Sequence, residues 1–204
     1  MQNGSTHDGG TDVAHATGTS GPEVDGHVSN ARLFWPILVA ILAFDIVTKS
    51  IAENQLAVLR GPHEVIGDWL RFTLVYNPGA AFGLHVGEHS RWIFMGLTVV
   101  ALIILGRLYV ATPGGDRTRV TSLALVCGGA IGNLLDRVRS ERGVVDFLDV
   151  GVGAARWPTF NVADMAVSTG AFLLAIVLWA EDRPEESGPA IVPGGLRHES
   201  GDAS

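Results

Sequence analysis

The sequence predicts an α-helical membrane protein of four transmembrane helices with a small β-element in its first loop. Hydrophobic residues make up 47% of the 204 positions although both ends of the chain are polar, so the apolar residues are gathered in the middle. There they form four runs, each close to the ~20 residues that a helix needs to cross ~30 Å of hydrocarbon. The runs are apolar all round, whereas a helix of a soluble bundle would alternate an apolar stripe with a charged face.

In chain order, residues 1–30 are rich in Gly, Ser, Thr, Asp and His and are expected to be a disordered tail, because they cannot bury enough surface to offset chain entropy. They carry neither the basic start nor the apolar core of a secretory signal. A four-span domain is expected over 31–181, with spans near 33–51, 92–111, 120–136 and 161–180, followed by a second disordered tail over 182–204. The first span holds Asp45 and Lys49, the second holds Arg107 near its end, and the middle of the third and fourth carries no charge. Between the first two spans, Leu70, Phe72, Leu74 and Tyr76 alternate with other residues at a period of two. With His63–Ile66 and a Gly67-Asp68 turn, this reads as a short hairpin or small sheet. The segment Ala80–Leu84 is apolar enough to lie on the membrane interface. Gly128 and Gly132, with Ala124 a turn earlier, read as a close helix-packing face.

The net charge of −7 and the absence of basic clusters exclude nucleic acid as a partner. Cys127 is the single cysteine, so neither an internal disulfide nor a thiolate cluster can form. His63, His85 and His89 lack the spacing of a metallohydrolase helix, and there is no phosphate-binding loop. The glycine pair at Gly151 and Gly153 is too short to be a nucleotide fingerprint. No metal and no cofactor is expected.

Four spans place both chain ends on one side of the membrane. The end of span one, the first loop, the end of span three and the start of span four then share the other side. Asp45, Asn77, Asp136, Asp146 and Asp164 therefore converge on one face, and ionisable groups at such depth mark a functional site. Two facing carboxylates share one proton, because both cannot ionise cheaply. The ionised member can activate water while the protonated member polarises a carbonyl. Asp146, in the apolar stretch Val144-Val145-Asp146-Phe147, and Asp164, at the head of span four, are the expected pair. Asn161 and Asp164 also have the spacing of an N-cap and its third helical residue. Asn133, Asp136 and Arg137 share one face of span three, and Asp45 and Lys49 form an i, i+4 pair that would let span one end near the surface. A Ser–Lys hydrolase built on Lys49 and Ser50 is disfavoured, since adjacent helical residues point about 100° apart. The reading from another class is a proton-coupled transporter or channel subunit with the acids as a relay, which requires acids spread through the membrane's depth.

Five segments, Asp45-x-x-Thr48-Lys49, Asn77-Pro-Gly-Ala-Ala-Phe-Gly83, Gly132-Asn-Leu-Leu-Asp-Arg137, Val144-Val-Asp-Phe147 and Phe160-Asn-Val-Ala-Asp164, occur in this order between Leu33 and Ala180. The set resembles lipoprotein signal peptidase (signal peptidase II), a bacterial membrane aspartic endopeptidase family. The resemblance implies that Asp146 and Asp164 are the catalytic dyad and that Asn77, Asn133, Asp136, Arg137 and Asn161 line or brace it, with Asp45 and Lys49 in support. It implies a monomer in the bacterial plasma membrane that acts on prolipoproteins carrying a diacylglyceryl cysteine, cutting on the N-terminal side of that cysteine. Membrane lipid is then its other partner. Both termini would be cytoplasmic, and the site and the β-element extracytoplasmic. The basic residues near the spans argue the other way. Arg32, Arg107, Arg117, Arg119 and Arg183 lie on the side of the tails, against Lys49, Arg60, Arg71, Arg91, Arg137, Arg139, Arg142 and Arg156 on the side of the site.

Overall fold

The computed structural model describes residues 22–59, 61–81, 84–85 and 89–181. Four helices are long and apolar enough to cross a membrane. They are α1 (Pro22–Leu59), α2 (Ser90–Val110), α3 (Arg117–Arg139) and α4 (Val162–Glu181). The central one is α3, which packs most extensively on α4 and α1. On α2 the large apolar side chains Trp92, Leu97, Val100, Ile103 and Ile104 point outward, as lipid-facing residues do.

Small residues let α3 take the central place. A Cβ on Gly129 would stand 2.3 Å from the Ala163 carbonyl oxygen and 2.9 Å from Val167 Cγ2, so α4 runs against bare backbone. A Cβ on Gly132 would stand 2.5 Å from Asp45 Oδ2. Between lipid tails, packing rather than hydrophobic transfer holds helices together, and close backbone approach is what such positions provide. Gly129→Ala is therefore expected to push α3 and α4 apart at a cost of about 1–3 kcal/mol. The check is the thermal midpoint in detergent, and an unchanged midpoint would show that the contact is slack.

The strands are β1 (His63–Ile66), β2 (Leu70–Asn77), β3 (Ala80–Ala81), β4 (Leu84–His85), β5 (Val144–Val152) and β6 (Ala155–Arg156). Four of them form one antiparallel sheet in the order β1-β2-β5-β6, and β3 pairs with β4. The expected hairpin of the first loop is present, but the β-element is not confined to that loop. The connector between α3 and α4 supplies β5, the longest strand, and β6. Val144, Val145, Asp146 and Phe147 are all buried. A strand covered on both faces reads as a continuous apolar run, without the alternation that betrayed β2.

Other boundaries move as well. The first helix does not end near residue 51. It continues to Leu59, and its last turns bury Ala52 and Leu56 against Phe147, with Phe72, Leu74 and Leu148 around them, so the helix props the sheet from beneath. At its other end α1 begins at Pro22, so residues 22–30, assigned to the tail on composition, are helical. Asn30 explains part of this. Its carboxamide donates to the Thr112 and Pro113 carbonyls at 3.2 and 3.1 Å and accepts from Gly115 N–H at 3.3 Å, tying α1 to the turn between α2 and α3. The segment after Pro78 pairs with itself, Ala80 opposite His85 and Ala81 opposite Leu84, as β3 and β4. Residues 1–21 and 182–204, expected to be disordered, lie outside the described residues. Phe34, Leu38, Val120, Leu123, Ala124 and Cys127 form the apolar core between α1 and α3.

Candidate active site

The site is built where β5 meets the start of α4. Phe160 is pinned to β5: its N–H donates to the Leu148 carbonyl at 3.0 Å, and its own carbonyl accepts from Phe147 and Leu148 N–H at 3.0 and 2.8 Å. The next residue, Asn161, is thereby set beside Asp146. Asn161 caps α4, its Oδ1 accepting the Asp164 N–H at 2.9 Å, while Asp164 Oδ2 accepts the Asn161 N–H at 3.2 Å. This is the reciprocal pattern of a capping box, with the carboxylate at the positive end of the helix.

The same Asn161 also reaches the other acid. Its Nδ2 donates to Asp146 Oδ1 at 2.7 Å, and the side chain is fully buried. One asparagine thus touches both aspartates, Asp146 through its amide and Asp164 through its backbone and cap. Asp146 Oδ2 accepts from Asn77 Nδ2 at 3.2 Å. In the register of β2 and β5, Val75 stands opposite Asp146 and Asn77 opposite Val144, so Asn77 is the diagonal neighbour on the same face. Asp164 Oδ1 accepts from Asn133 Nδ2 at 2.7 Å.

Asp146 is 2% exposed, whereas Asp164 is half-buried. Burial, and then the negative charge of Asp164, pushes the Asp146 carboxyl up to about 7, with the amide donors of Asn77 and Asn161 and the charge of Lys49 pulling the other way. An open cavity of about 280 Å³ lies against Asp164, lined also by Trp157, Phe160, Met165, Ser168 and Thr169. It runs along α4 from the acid toward the apolar part of the span.

Beneath the two aspartates lies a charged clamp. Lys49 Nζ stands 2.7 Å from Asp45 Oδ2, 2.8 Å from Asp136 Oδ2 and 2.9 Å from Asn133 Oδ1. Asp45 Oδ1 accepts the Ala163 N–H at 3.0 Å, and Asp136 Oδ2 accepts the Val145 N–H at 3.3 Å. Each acid therefore holds the residue just before one of the two aspartates, and Lys49 joins both acids. Asp45 and Lys49 do form the expected pair, but it does not let α1 end at a surface: both are buried, at 0% and 3% exposure, and the helix runs on past them. Arg137 hydrogen-bonds back to the Asn133 carbonyl at 3.2 Å, stacks over Phe94 at 5.6 Å, and acts through space on Asp164, Asp146 and Asp136.

All nine residues singled out from the sequence are drawn into this one network. It contains more than they foretold. The backbone amides of Ala163 and Val145 have no side-chain signature. Asp149 is 6% exposed and accepts from Thr73 Oγ1 at 2.9 Å and Arg156 Nε at 2.5 Å, and Arg156 also reaches Asp68, so the two hairpin tips are joined. Asp149 stands out in the sequence as one of the carboxylates between Gly128 and Asp164, but that it joins the hairpins follows only from the pairing of β2 with β5. Among the described residues the fully buried acids, Asp45, Asp146 and Asp149, all lie at the sheet end and are not strung through the bundle as a proton relay requires. Among the described residues no group of three His, Cys, Asp or Glu side chains is arranged to hold a metal ion.

Comparison with known proteins identifies the family of the chain. Residues 37–180 match the model of the family described as signal peptidase (SPase) II. The lipoprotein signal peptidase of Paraburkholderia phymatum is 40% identical over 140 residues, covering 68% of this chain and 82% of that protein. The lipoprotein signal peptidase of Francisella tularensis subsp. novicida is 34% identical over 144 residues, covering 69% and 88%. A bacterial membrane enzyme solved by the in meso method at 2.3 Å resolution superposes with a TM-score of 0.62 at 31% identity, over 71% of this chain and 86% of the other. A second such structure, at 1.9 Å, gives 0.59 at 32% identity, over 70% and 89%. With this family match, those identities and that shared fold, the chain belongs to the signal peptidase (SPase) II family.

Proposed function

We propose that this chain is an aspartic endopeptidase that removes signal peptides from prolipoproteins, cutting N-terminal to a diacylglyceryl-modified cysteine. The observation that supports it best is the asymmetric carboxylate pair: Asp146 enclosed and Asp164 open to a cavity, both held by Asn161. In this reading Asp164 takes a proton from a water in the open cavity as that water attacks the scissile carbonyl carbon. Asp146 gives its proton to the carbonyl oxygen, and a gem-diol forms. Collapse of the diol breaks the C–N bond, with a proton passing to the leaving amine and one returning to the pair. No cofactor takes part. The cavity along α4 opens toward the apolar zone, where a lipid-anchored cleavage site would arrive by lateral diffusion. The relatives' names supply the substrate class. The site and sheet are extracytoplasmic and both termini cytoplasmic in this reading, and the enzyme works as a monomer with lipid around it.

The test is cleavage of a lipidated prolipoprotein by the purified protein, with mass spectrometry of the product. A fragment beginning at the modified cysteine is expected. No cleavage, or cleavage that survives in both aspartate variants, would overturn the reading.

A pH dependence follows. The Asp146 proton is held up to about 7 and is lost above it. The kcat/KM for cleavage is therefore expected to fall about tenfold per pH unit on the alkaline side of that value, since the free enzyme then lacks its acid. The same raised value makes folding prefer the protonated carboxyl, so the ionised form costs stability progressively as pH climbs from about 4 to about 7. A profile that is flat between pH 6 and 9 would exclude Asp146 as the proton donor.

A further inference from the structure

At the end of the bundle opposite the two aspartates, a second open cavity of about 310 Å³ lies between α1 and α3, lined by Ser29, Asn30, Arg32, Leu33 and Arg117. Among the described residues two guanidinium groups and no carboxylate line it. The described acids of this end, Asp116 and Glu181, are engaged elsewhere. Asp116 accepts the Arg119 N–H at 3.0 Å and pairs with Arg119 Nε at 3.3 Å, and Glu181 closes on the same Arg119 guanidinium. Among the described residues Arg32 and Arg117 make no ion pair or side-chain hydrogen bond. One wall is rigid, because Asn30 is 4% exposed and locked to the turn between α2 and α3. Leu33, half-buried against the core of α1 and α3, supplies the apolar part of the lining, and one helical turn from Arg32 the Trp35 ring is 56% exposed, as residues of an interfacial aromatic belt are. The cavity therefore has a cationic mouth and an apolar floor at the level where spans leave the hydrocarbon.

We propose that this cavity binds the phosphate of an anionic bilayer phospholipid, with Arg32 and Arg117 as its partners and the first carbons of an acyl chain against Leu33. A soluble anion would satisfy the guanidinium pair but would leave the Leu33 wall unused. Bound there, the lipid would neutralise two charges that have no ion-pair partner among the described residues and would bridge α1 to α3 at the end remote from the reaction.

The experiment uses the full-length protein, delipidated in neutral detergent and titrated with phosphatidylglycerol or phosphatidylcholine, with bound lipid counted by native mass spectrometry. A preference of about thirtyfold for phosphatidylglycerol is expected, the scale that two basic groups at a lipid surface supply. The paired variant Arg32→Gln/Arg117→Gln should erase the preference, Arg32→Lys/Arg117→Lys should keep most of it, and peptidase turnover in detergent should match wild type in both. An unchanged preference in the glutamine pair would overturn the site, as would equal binding of the two lipids by wild type. If millimolar inorganic phosphate displaces phosphatidylglycerol, the occupant is free phosphate and the lipid assignment falls.

Discussion

Asp146→Asn and Asp164→Asn are each expected to lower cleavage by on the order of 10²–10⁴-fold while leaving a folded, membrane-inserted protein. An amide can neither hold the shared proton nor take one from water. The effect on the fold is smaller and has a different origin. Both oxygens of Asp164 accept hydrogen bonds, from Asn133 Nδ2 and from Asn161 N–H, and both oxygens of Asp146 accept from Asn161 Nδ2 and Asn77 Nδ2. An asparagine in either place offers one oxygen and one N–H₂, so one donor meets another donor. Asn133 cannot turn to relieve it, because its Oδ1 already accepts from Lys49 and Asn161. The cost of one such mismatch is about 1–3 kcal/mol. Turnover and thermal midpoint measured on one preparation separate the two effects. Near-wild-type turnover in either variant would remove that aspartate from the chemistry, whatever its midpoint.

The membrane spans were legible because lipid demands apolar residues on every side of a helix, and runs such as 92–111 show no polar face. The gathering of Asp45, Asn77, Asp136, Asp146 and Asp164 followed from span parity alone, without any distance. The strand β5 was hidden for a physical reason: a strand buried on both faces loses the alternation by which β2 was found, and Val144-Val145-Asp146-Phe147 then looks like any short apolar run. The pair Asp45–Lys49 looked complete in itself because i, i+4 spacing explains it locally. That Lys49 also reaches Asp136 and Asn133 depends on how closely α1 meets α3. That approach is allowed by Gly132, whose packing role was visible as a repeat but whose contact, the Asp45 carboxylate, was not. The helical start of α1 escaped a reading by composition because Asn30 is held by the distant Thr112–Gly115 turn.

Lys49→Met is expected to be the most damaging change outside the aspartate pair. An exposed ion pair contributes about 0–1 kcal/mol, and its loss would pass unnoticed. Lys49 is different: its side chain is 4% exposed, and it is the counter-ion to Asp45, at 0%, and to Asp136, at 17%. Methionine fills much the same volume but leaves two carboxylates facing each other around an apolar stem. Stranding buried charge in this way costs about 3–5 kcal/mol. The damage should also reach turnover, since Asp45 holds the Ala163 N–H and Asp136 the Val145 N–H, each one residue ahead of a proposed catalytic aspartate. Adding Asp45→Asn to Lys49→Met tests the cause. The new carboxamide oxygen can still accept the Ala163 N–H, and one of the two stranded charges is gone, so the double variant should melt later than Lys49→Met alone and regain part of its turnover. Additive losses in that cycle would mean that Lys49 acts through its packing and not through its charge.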